Sequence, residues 1–321
     1  MSVFTRVDRL TLERFLARFD SGRLLSFKGI SEGIENTNYF VTTERGEYVL
    51  TLIEQWDADE VPYFIELMHW LAERGLPSAR PIPDRAGHRL HTLLGRPAAL
   101  VERLLGESTE EPTVSDCHQV GEVLARLHRA SDGFPMHRDD RRGMTWRQQV
   151  AATLYPELDA ATAAVLRDEI AHHAARSWNG LPRGVVHADL FPDNVLFRNG
   201  AITGVIDFYY ACNDLRVYDL AITVNQWCTM TDGGLSRDRV LAVLRAYHAA
   251  RALEPAERAA WPDMLRYGAL RFWLSRLKDK IFPKDGHLTT IKDPDAIKVI
   301  LMHRRDNADA ATALWDEAVR V

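Results

Sequence analysis

The chain is poor in cysteine: its 321 residues include only Cys117, Cys212 and Cys228, an odd and widely spaced set with no C-x-x-C pair. That argues against a disulfide framework or a zinc site, and it fits a reducing cytoplasm. No run of about 18 apolar residues is present, so no membrane-spanning helix is expected, and the first residues lack a signal-peptide pattern. Positive charge is not in excess either. With 40 Lys and Arg against 45 Asp and Glu, a net charge of −5 and a pI near 6.2, the chain carries no electrostatic footprint for nucleic acid. Two nucleotide-binding signatures are missing as well. No two glycines stand two residues apart, which rules out G-x-G-x-x-G, and no glycine precedes a lysine, which rules out a Walker A loop. Internal repeats and low-complexity tracts are absent, and the Ala-rich stretch 309–313 is read as helix propensity.

What remains is an ordinary globular composition, 46% hydrophobic and 26% charged, with enough chain for two lobes. Leu12, Phe15, Leu16 and Phe19 keep an i, i+3, i+4, i+7 spacing that predicts an amphipathic helix, capped by Thr11 or Asp8 and ended by Ser21 and Gly22. Stretches 24–28, 38–43 and 48–53 predict three strands. Pro62 opens a helix that Gly75 closes, and 88–94 with 97–104 complete a small antiparallel sheet. The polar stretch 106–112 predicts a hinge between an N-lobe at 1–105 and a mainly helical C-lobe at 106–321. Helices are expected there at 115–130, 146–154, 160–177 and throughout after Asp214. The loop 131–142, with His137, Asp139 and Asp140, is read as charged and solvated.

A segment of different character, 184–214, interrupts the helical pattern. Its apolar run Gly184, Val185, Val186 ends in His187, Asp189 and Asn194, the kinase catalytic-loop spacing H-x-D-x-x-x-x-N with Ala188 in place of arginine. Asn199-Gly200 tolerates positive φ and predicts a hairpin that brings Asp207 back to the level of Asn194. Phosphoryl transfer to an alcohol needs an acceptor for the hydroxyl proton and hard oxygen ligands for Mg²⁺. Asp189 is the candidate base, Asn194 and Asp207 are the candidate metal ligands, and His187 is the candidate brace of the loop.

Four other readings compete. A turn-rich loop collects Asp and Asn for conformational reasons alone. A metal-dependent hydrolase could use His187, Asp189, Asp193 and Asp207, but catalytic zinc sites favour more than one histidine. Gly29-Ile-Ser31-Glu-Gly33 matches a hydrolase nucleophile elbow, yet the residues after it are strand-like where an elbow needs a helix. Its backbone N–H groups are read instead as cover for nucleotide phosphates. A non-catalytic scaffold is opposed by the presence of all three polar residues that the chemistry needs.

On these residues the chain resembles the aminoglycoside phosphotransferase and choline kinase superfamily, protein-kinase-like enzymes that phosphorylate small alcohols, with Ile206-Asp207-Phe208 in place of D-F-G. Within it, Gly33-Ile-Glu-Asn36-Thr-Asn38-Tyr-Phe40, Tyr48-Val-Leu-Thr-Leu52, Asp207-Phe-Tyr-Tyr-Ala-Cys-Asn-Asp214, Tyr218-Asp-Leu-Ala221 and Leu270-Arg-Phe-Trp-Leu-Ser-Arg-Leu277 resemble the homoserine kinases of this fold. The resemblance implies an α+β, protein-kinase-like two-lobe fold with a small antiparallel-sheet N-lobe and a larger, mainly helical C-lobe. It also implies ATP- and Mg²⁺-dependent phosphorylation of the L-homoserine hydroxyl, on the way to threonine. Kinases of choline, methylthioribose or an aminoglycoside are the alternatives. The chain departs from the broader kinase pattern on the third strand, where Thr51 stands in place of the phosphate-binding lysine. Lys28, beside Gly29, Gly33 and Asn36, is the candidate replacement cation.

An amino-acid acceptor requires a cation for its carboxylate and an anion for its ammonium. From Arg271 to Arg305 there are nine Lys or Arg against four Asp, a balance that favours an anionic group on the substrate over a polycation. Arg grips a carboxylate with two parallel hydrogen bonds where Lys cannot, so Arg271 or Arg276 is the candidate carboxylate ligand. Tyr209, Asn213 and Asp214 come closely enough after Asp207 to line the acceptor side, with Asp214 either the ammonium partner or a helix cap. The expected partner is a small molecule, with neither nucleic acid nor membrane, and homo-oligomer formation is left open.

Overall fold

The computed structural model describes residues 5–30, 36–283 and 292–320. They divide into two compact units, the first comprising Met1–Gly106, Phe134–Met136 and Thr203–Ile206, the second the remainder. The chain thus returns twice to the first unit after residue 106, which a single division at 105/106 does not anticipate.

The first unit contains α1 (Arg9–Leu16), β1 (Leu24–Gly29), β2 (Asn36–Thr43), β3 (Gly46–Ile53), α2 (Val61–Glu73), β4 (His91–Leu93) and β5 (Arg96–Glu102). Its strands form one antiparallel sheet in the order β1-β2-β3-β5-β4. Asp8, and not Thr11, caps α1, its Oδ1 accepting the Thr11 N–H at 2.7 Å. The apolar stripe of α1 (Leu12, Phe15, Leu16), with Phe19, is buried against Val41, Leu50, Leu52 and Leu100. Full burial of such side chains is worth about 1.5–3 kcal/mol each, which suffices to seat a helix of only eight residues. The expected strand at 88–94 is shortened to His91–Leu93. Asp84 Oδ1 accepts the N–H groups of Ala86 and His88, both at 2.9 Å, and folds that stretch into a turn.

The second unit contains α3 (Val114–Ala130), α4 (Met144–Leu154), α5 (Ala160–Ala174), β6 (Arg183–Val186), β7 (Val195–Arg198), the start of the hairpin strand β8 (Ala201–Val205), β9 (Cys212–Leu215), α6 (Arg216–Trp227), α7 (Arg237–Ala250), α8 (Pro255–Ile281), α9 (Pro294–Asp306) and α10 (Ala308–Val319). Thr113 and Asp116 form a reciprocal capping box that starts α3. At Gly121 α3 approaches α7 so closely that a Cβ would lie 2.3 Å from the Val243 carbonyl oxygen, so only glycine fits there. Glu107 lies in the stretch expected to be a hinge, yet it exchanges backbone hydrogen bonds with Phe197 of β7, at 3.0 and 2.8 Å. β6 pairs antiparallel with β9, setting Val186 opposite Cys212 and Gly184 opposite Asp214. That pairing, which no local pattern predicts, frames the polar segment between the two strands.

Candidate active site

β6 delivers the chain to His187, and two left-handed backbone positions shape the polar segment beyond it. Ala188 (φ 61°) and Asp207 (φ 63°) adopt a conformation that costs non-glycine residues on the order of 1–3 kcal/mol and persists only where the surroundings enforce it. For Ala188 the enforcing group is Asp219 on α6. Its Oδ2 accepts the His187 N–H at 2.7 Å and its Oδ1 the Ala188 N–H at 2.8 Å. Asp219 Oδ2 also lies 3.0 Å from His128 Nε2, and both side chains are fully buried.

The surrounding donors fix the tautomer of His128. Arg251 can only donate, and its Nη1 reaches Tyr247 Oη at 3.2 Å; the hydroxyl then donates to His128 Nδ1 at 2.7 Å, leaving Nε2–H for Asp219. Burial holds His128 below the usual imidazole range despite its carboxylate partner. Burial alone would raise Asp219, but the His128 hydrogen bond and the nearby histidines bring it below the usual carboxylate range. The stabilisation from Asp219 is therefore present at neutral pH and is lost as pH falls through its depressed pKa. Asp219→Asn presents an amide to donors that need an acceptor. We expect it to lower the unfolding free energy by about 3–5 kcal/mol, as breaking a buried charged network does. Tyr247→Phe should cost only about 1 kcal/mol. Denaturant unfolding of both variants checks the difference, and equal small losses would reject the role assigned to Asp219.

Asp189 stands one residue beyond the strained position. Its carboxylate is 18% exposed, with Oδ1 3.6 Å from Arg271 Nη1. Asn194 Nδ2 donates to Asp189 Oδ2 at 3.2 Å and to the Asp189 carbonyl at 2.8 Å. Burial raises the Asp189 pKa, and the Arg271 guanidinium opposes that rise. Arg271 is itself buried and donates to the Ala188 carbonyl at 2.5 Å, so one arginine spans the loop backbone and the carboxylate. His187 is fully buried, accepts the Asp189 N–H at 3.3 Å through Nδ1 and lies against the Phe208 ring at 4.8 Å.

β7 and β8 form a two-stranded sheet closed by Asn199 (φ 54°) and Gly200 (φ 78°). Gln119 of α3 clamps the turn, donating to the Gly200 carbonyl at 2.9 Å and accepting the Ile202 N–H at 3.0 Å. Asn194 immediately precedes β7 and Asp207 comes just after β8, so both stand at the open end of one hairpin. Among the described residues no three His, Cys, Asp or Glu side chains gather to hold a metal ion. The hydrolase reading through His187, Asp189, Asp193 and Asp207 therefore lacks a ligand set.

The remaining candidates have these surroundings. Tyr209 is buried in a 3-10 turn after Asp207. Asn213 Oδ1 accepts the Arg138 N–H at 3.0 Å, and its own N–H donates to the Arg138 carbonyl at 2.6 Å. Asp214 accepts from the Leu215 N–H at 2.8 Å and from Arg183 at 3.1 Å, while α6 begins without a side-chain cap. Arg276 donates to the Asp293 carbonyl at 3.0 Å. In the first unit, Lys28 and Gly29 lie on β1 opposite Phe40 and Tyr39. Asn36 accepts the Glu54 N–H at 3.3 Å, and Thr51 donates to Asn38 Oδ1 at 2.7 Å. Gly33 lies outside the described residues. Sequence reasoning passed over Asp219, whose one available signal was its place in the Tyr218-Asp-Leu-Ala221 segment, and over Arg142, which donates to Ser275 Oγ at 2.9 Å and Tyr210 Oη at 3.0 Å.

Residues 26–253 match the phosphotransferase enzyme family. A homoserine kinase of Methylobacillus flagellatus is 48% identical over 318 residues, covering 99% of this chain and 100% of its own length. A homoserine kinase of Pseudomonas aeruginosa is 44% identical over 309 residues, covering 95% and 97%. Among solved structures, amicoumacin kinase hAmiN in complex with AMP-PNP, Ca²⁺ and Ami superposes with a TM-score of 0.69 at 15% identity, covering 95% of this chain and 94% of its own. Choline kinase from Cryptosporidium parvum gives 0.65 at 12% identity, covering 98% of each chain. These structural likenesses show the fold, which is the α+β, protein-kinase-like one.

Proposed function

The chain belongs to the phosphotransferase enzyme family, with homoserine kinases as near-full-length relatives, and from that premise we propose that it transfers the γ-phosphoryl of ATP to the side-chain hydroxyl of L-homoserine. The product would be O-phospho-L-homoserine, and the setting a cytoplasmic step of amino-acid synthesis. The observation that supports this reading most directly is the surroundings of Asp189. Its carboxylate is paired to Arg271 and oriented by Asn194, as a base that must stay ionised requires. Asn194 spends its amide nitrogen on Asp189, which leaves its carbonyl oxygen for a cation. With the Asp207 carboxylate it would offer a pair of hard oxygens of the kind that suits Mg²⁺. When bound, the metal would neutralise charge on the polyphosphate. Lys28 and Gly29, with Gly33 and Asn36, are the proposed phosphate-side residues; Thr51 has no charge to offer.

A coupled ADP-release assay over homoserine, choline, 5-methylthioribose and an aminoglycoside tests the assignment. ADP release that depends on homoserine is expected, and release with another of these alcohols alone would overturn it. The Arg271 pairing adds a pH prediction. The base works when deprotonated, and its raised pKa puts the loss of kcat/KM on acidification above the ordinary aspartate range. Arg271→Met removes the one cation that pulls that pKa down most, so the acid limb should move to still higher pH. A pH–rate profile with an unshifted acid limb in the folded variant would reject the pairing.

A further inference from the structure

We infer that Arg142 and Asp140 bind the α-carboxylate and the α-ammonium of the acceptor, so that the loop between α3 and α4 sets the enzyme's preference for an amino acid over a simple alcohol. The inference rests on the assignment of homoserine as acceptor and deepens it. The loop reads in sequence as solvated, and its first part is: His137 and Asp139 are exposed and pair with each other. Arg138, which stands between them, is tied down. The Asn213 backbone N–H donates to the Arg138 carbonyl, the Asn213 side chain accepts the Arg138 N–H, and Arg138 Nη1 donates to the Ala211 carbonyl at 3.1 Å. The loop is thereby anchored to the segment just after Asp207.

Tyr210 connects this loop to the proposed base. The Arg142 and Arg271 guanidinium groups each lie 4.9 Å from the centre of its ring, and Arg271 is the residue paired with Asp189. Arg142 is half-buried between the Tyr210 and Trp146 rings, yet both of its side-chain hydrogen bonds among the described residues go to neutral hydroxyls, those of Ser275 and Tyr210. A guanidinium held in a fixed fork with weak neutral partners is suited to exchange them for a carboxylate, which it binds with two parallel charged hydrogen bonds. Asp140 supplies the opposite charge beside it. Its Oδ1 accepts the Arg142 N–H at 2.7 Å, while its Oδ2 is buried with no hydrogen-bond partner among the described residues. A buried carboxylate oxygen left so is costly, and an ammonium donor would satisfy it. Its field extends inward: Asp214, raised first by burial, is raised further by Asp140.

The two charged groups of homoserine can be removed one at a time, which makes the assignment testable by substrate dissection. 3-Aminopropan-1-ol lacks the carboxylate and 4-hydroxybutanoate lacks the ammonium. Arg142→Met should raise the homoserine KM by about tenfold or more, with a smaller effect on kcat, and leave KM for ATP unchanged. The kcat/KM ratio of homoserine to 3-aminopropan-1-ol should fall by a similar factor, because the variant has lost only what the carboxylate binds. Asp140→Asn should instead lower the ratio of homoserine to 4-hydroxybutanoate. Arg142→Lys keeps the charge without the fork and should fall between wild type and Arg142→Met, which keeps the test open if the methionine variant folds poorly. Equal loss on homoserine and on its truncated analogue in these variants means a structural role and overturns the assignment. Wild-type enzyme that fails to phosphorylate homoserine would overturn the function instead, so the two failures are distinguishable.

Discussion

Asp189→Asn is expected to lower kcat by roughly 10² to 10⁴, the range for losing a general base, while nucleotide binding persists. The substitution is nearly isosteric and keeps an oxygen for the Asn194 amide, so the loop geometry should survive. What it removes is the proposed proton acceptor. It also removes the anion opposite Arg271, whose Nη1 lies 3.6 Å from Asp189 Oδ1, and so leaves a buried guanidinium against the Ala188 carbonyl and its aromatic neighbours. The lower part of the range applies if the transition state is loose, since little proton transfer has then occurred when the phosphoryl group moves. Steady-state kinetics on homoserine, paired with calorimetric titration of a nucleotide, separate the two effects. Near wild-type turnover in the variant would remove Asp189 from the chemistry.

The parts of this molecule that were legible in sequence share one property: their chemistry depends on residue types at short spacing. His187, Asp189 and Asn194 lie within eight positions, and Asn199-Gly200 announces its turn through backbone conformation alone. The apolar stripe of α1 and the strands β1 to β3 obey the same logic. The parts that were not legible depend on partners without side-chain identity or on pairing across long separations. Asp219 holds two backbone N–H groups, which any residue could supply, 31 and 32 positions earlier in the chain. β9 is four residues long and exists because it pairs with β6, more than twenty positions upstream. The loop carrying Asp140 and Arg142 has the composition of a solvated turn, and its attachments to Asn213, Ser275 and Tyr210 show otherwise. Arg271 and Arg276 sit on the same helix with the same charge. Periodicity could not say which of them faces the Ala188 carbonyl and which the Asp293 carbonyl.

Asp207→Ala is expected to reduce turnover by at least about 10³-fold, since the proposed metal ligand would stabilise charge on the transferring phosphoryl group, an effect worth several kcal/mol, and each 1.36 kcal/mol is a factor of ten. Asp207 is the charged member of the pair at the open end of the hairpin, and Asn194, already committed through its nitrogen to Asp189, contributes one neutral oxygen. The left-handed conformation at residue 207 complicates a simple deletion. Aspartate and asparagine tolerate φ near 63°, while alanine adds roughly 1–2 kcal/mol of local strain, so some loss in the alanine variant could come from a relaxed turn. Asp207→Asn removes that ambiguity. It keeps the conformation and one oxygen, loses only the charge, and should recover part of the activity at Mg²⁺ concentrations well above those the wild type needs. A turn that merely required a left-handed residue would give an asparagine variant with wild-type turnover and unchanged Mg²⁺ dependence. That outcome would place the metal ligand elsewhere, and Mg²⁺ titrations of turnover in both variants decide between the two.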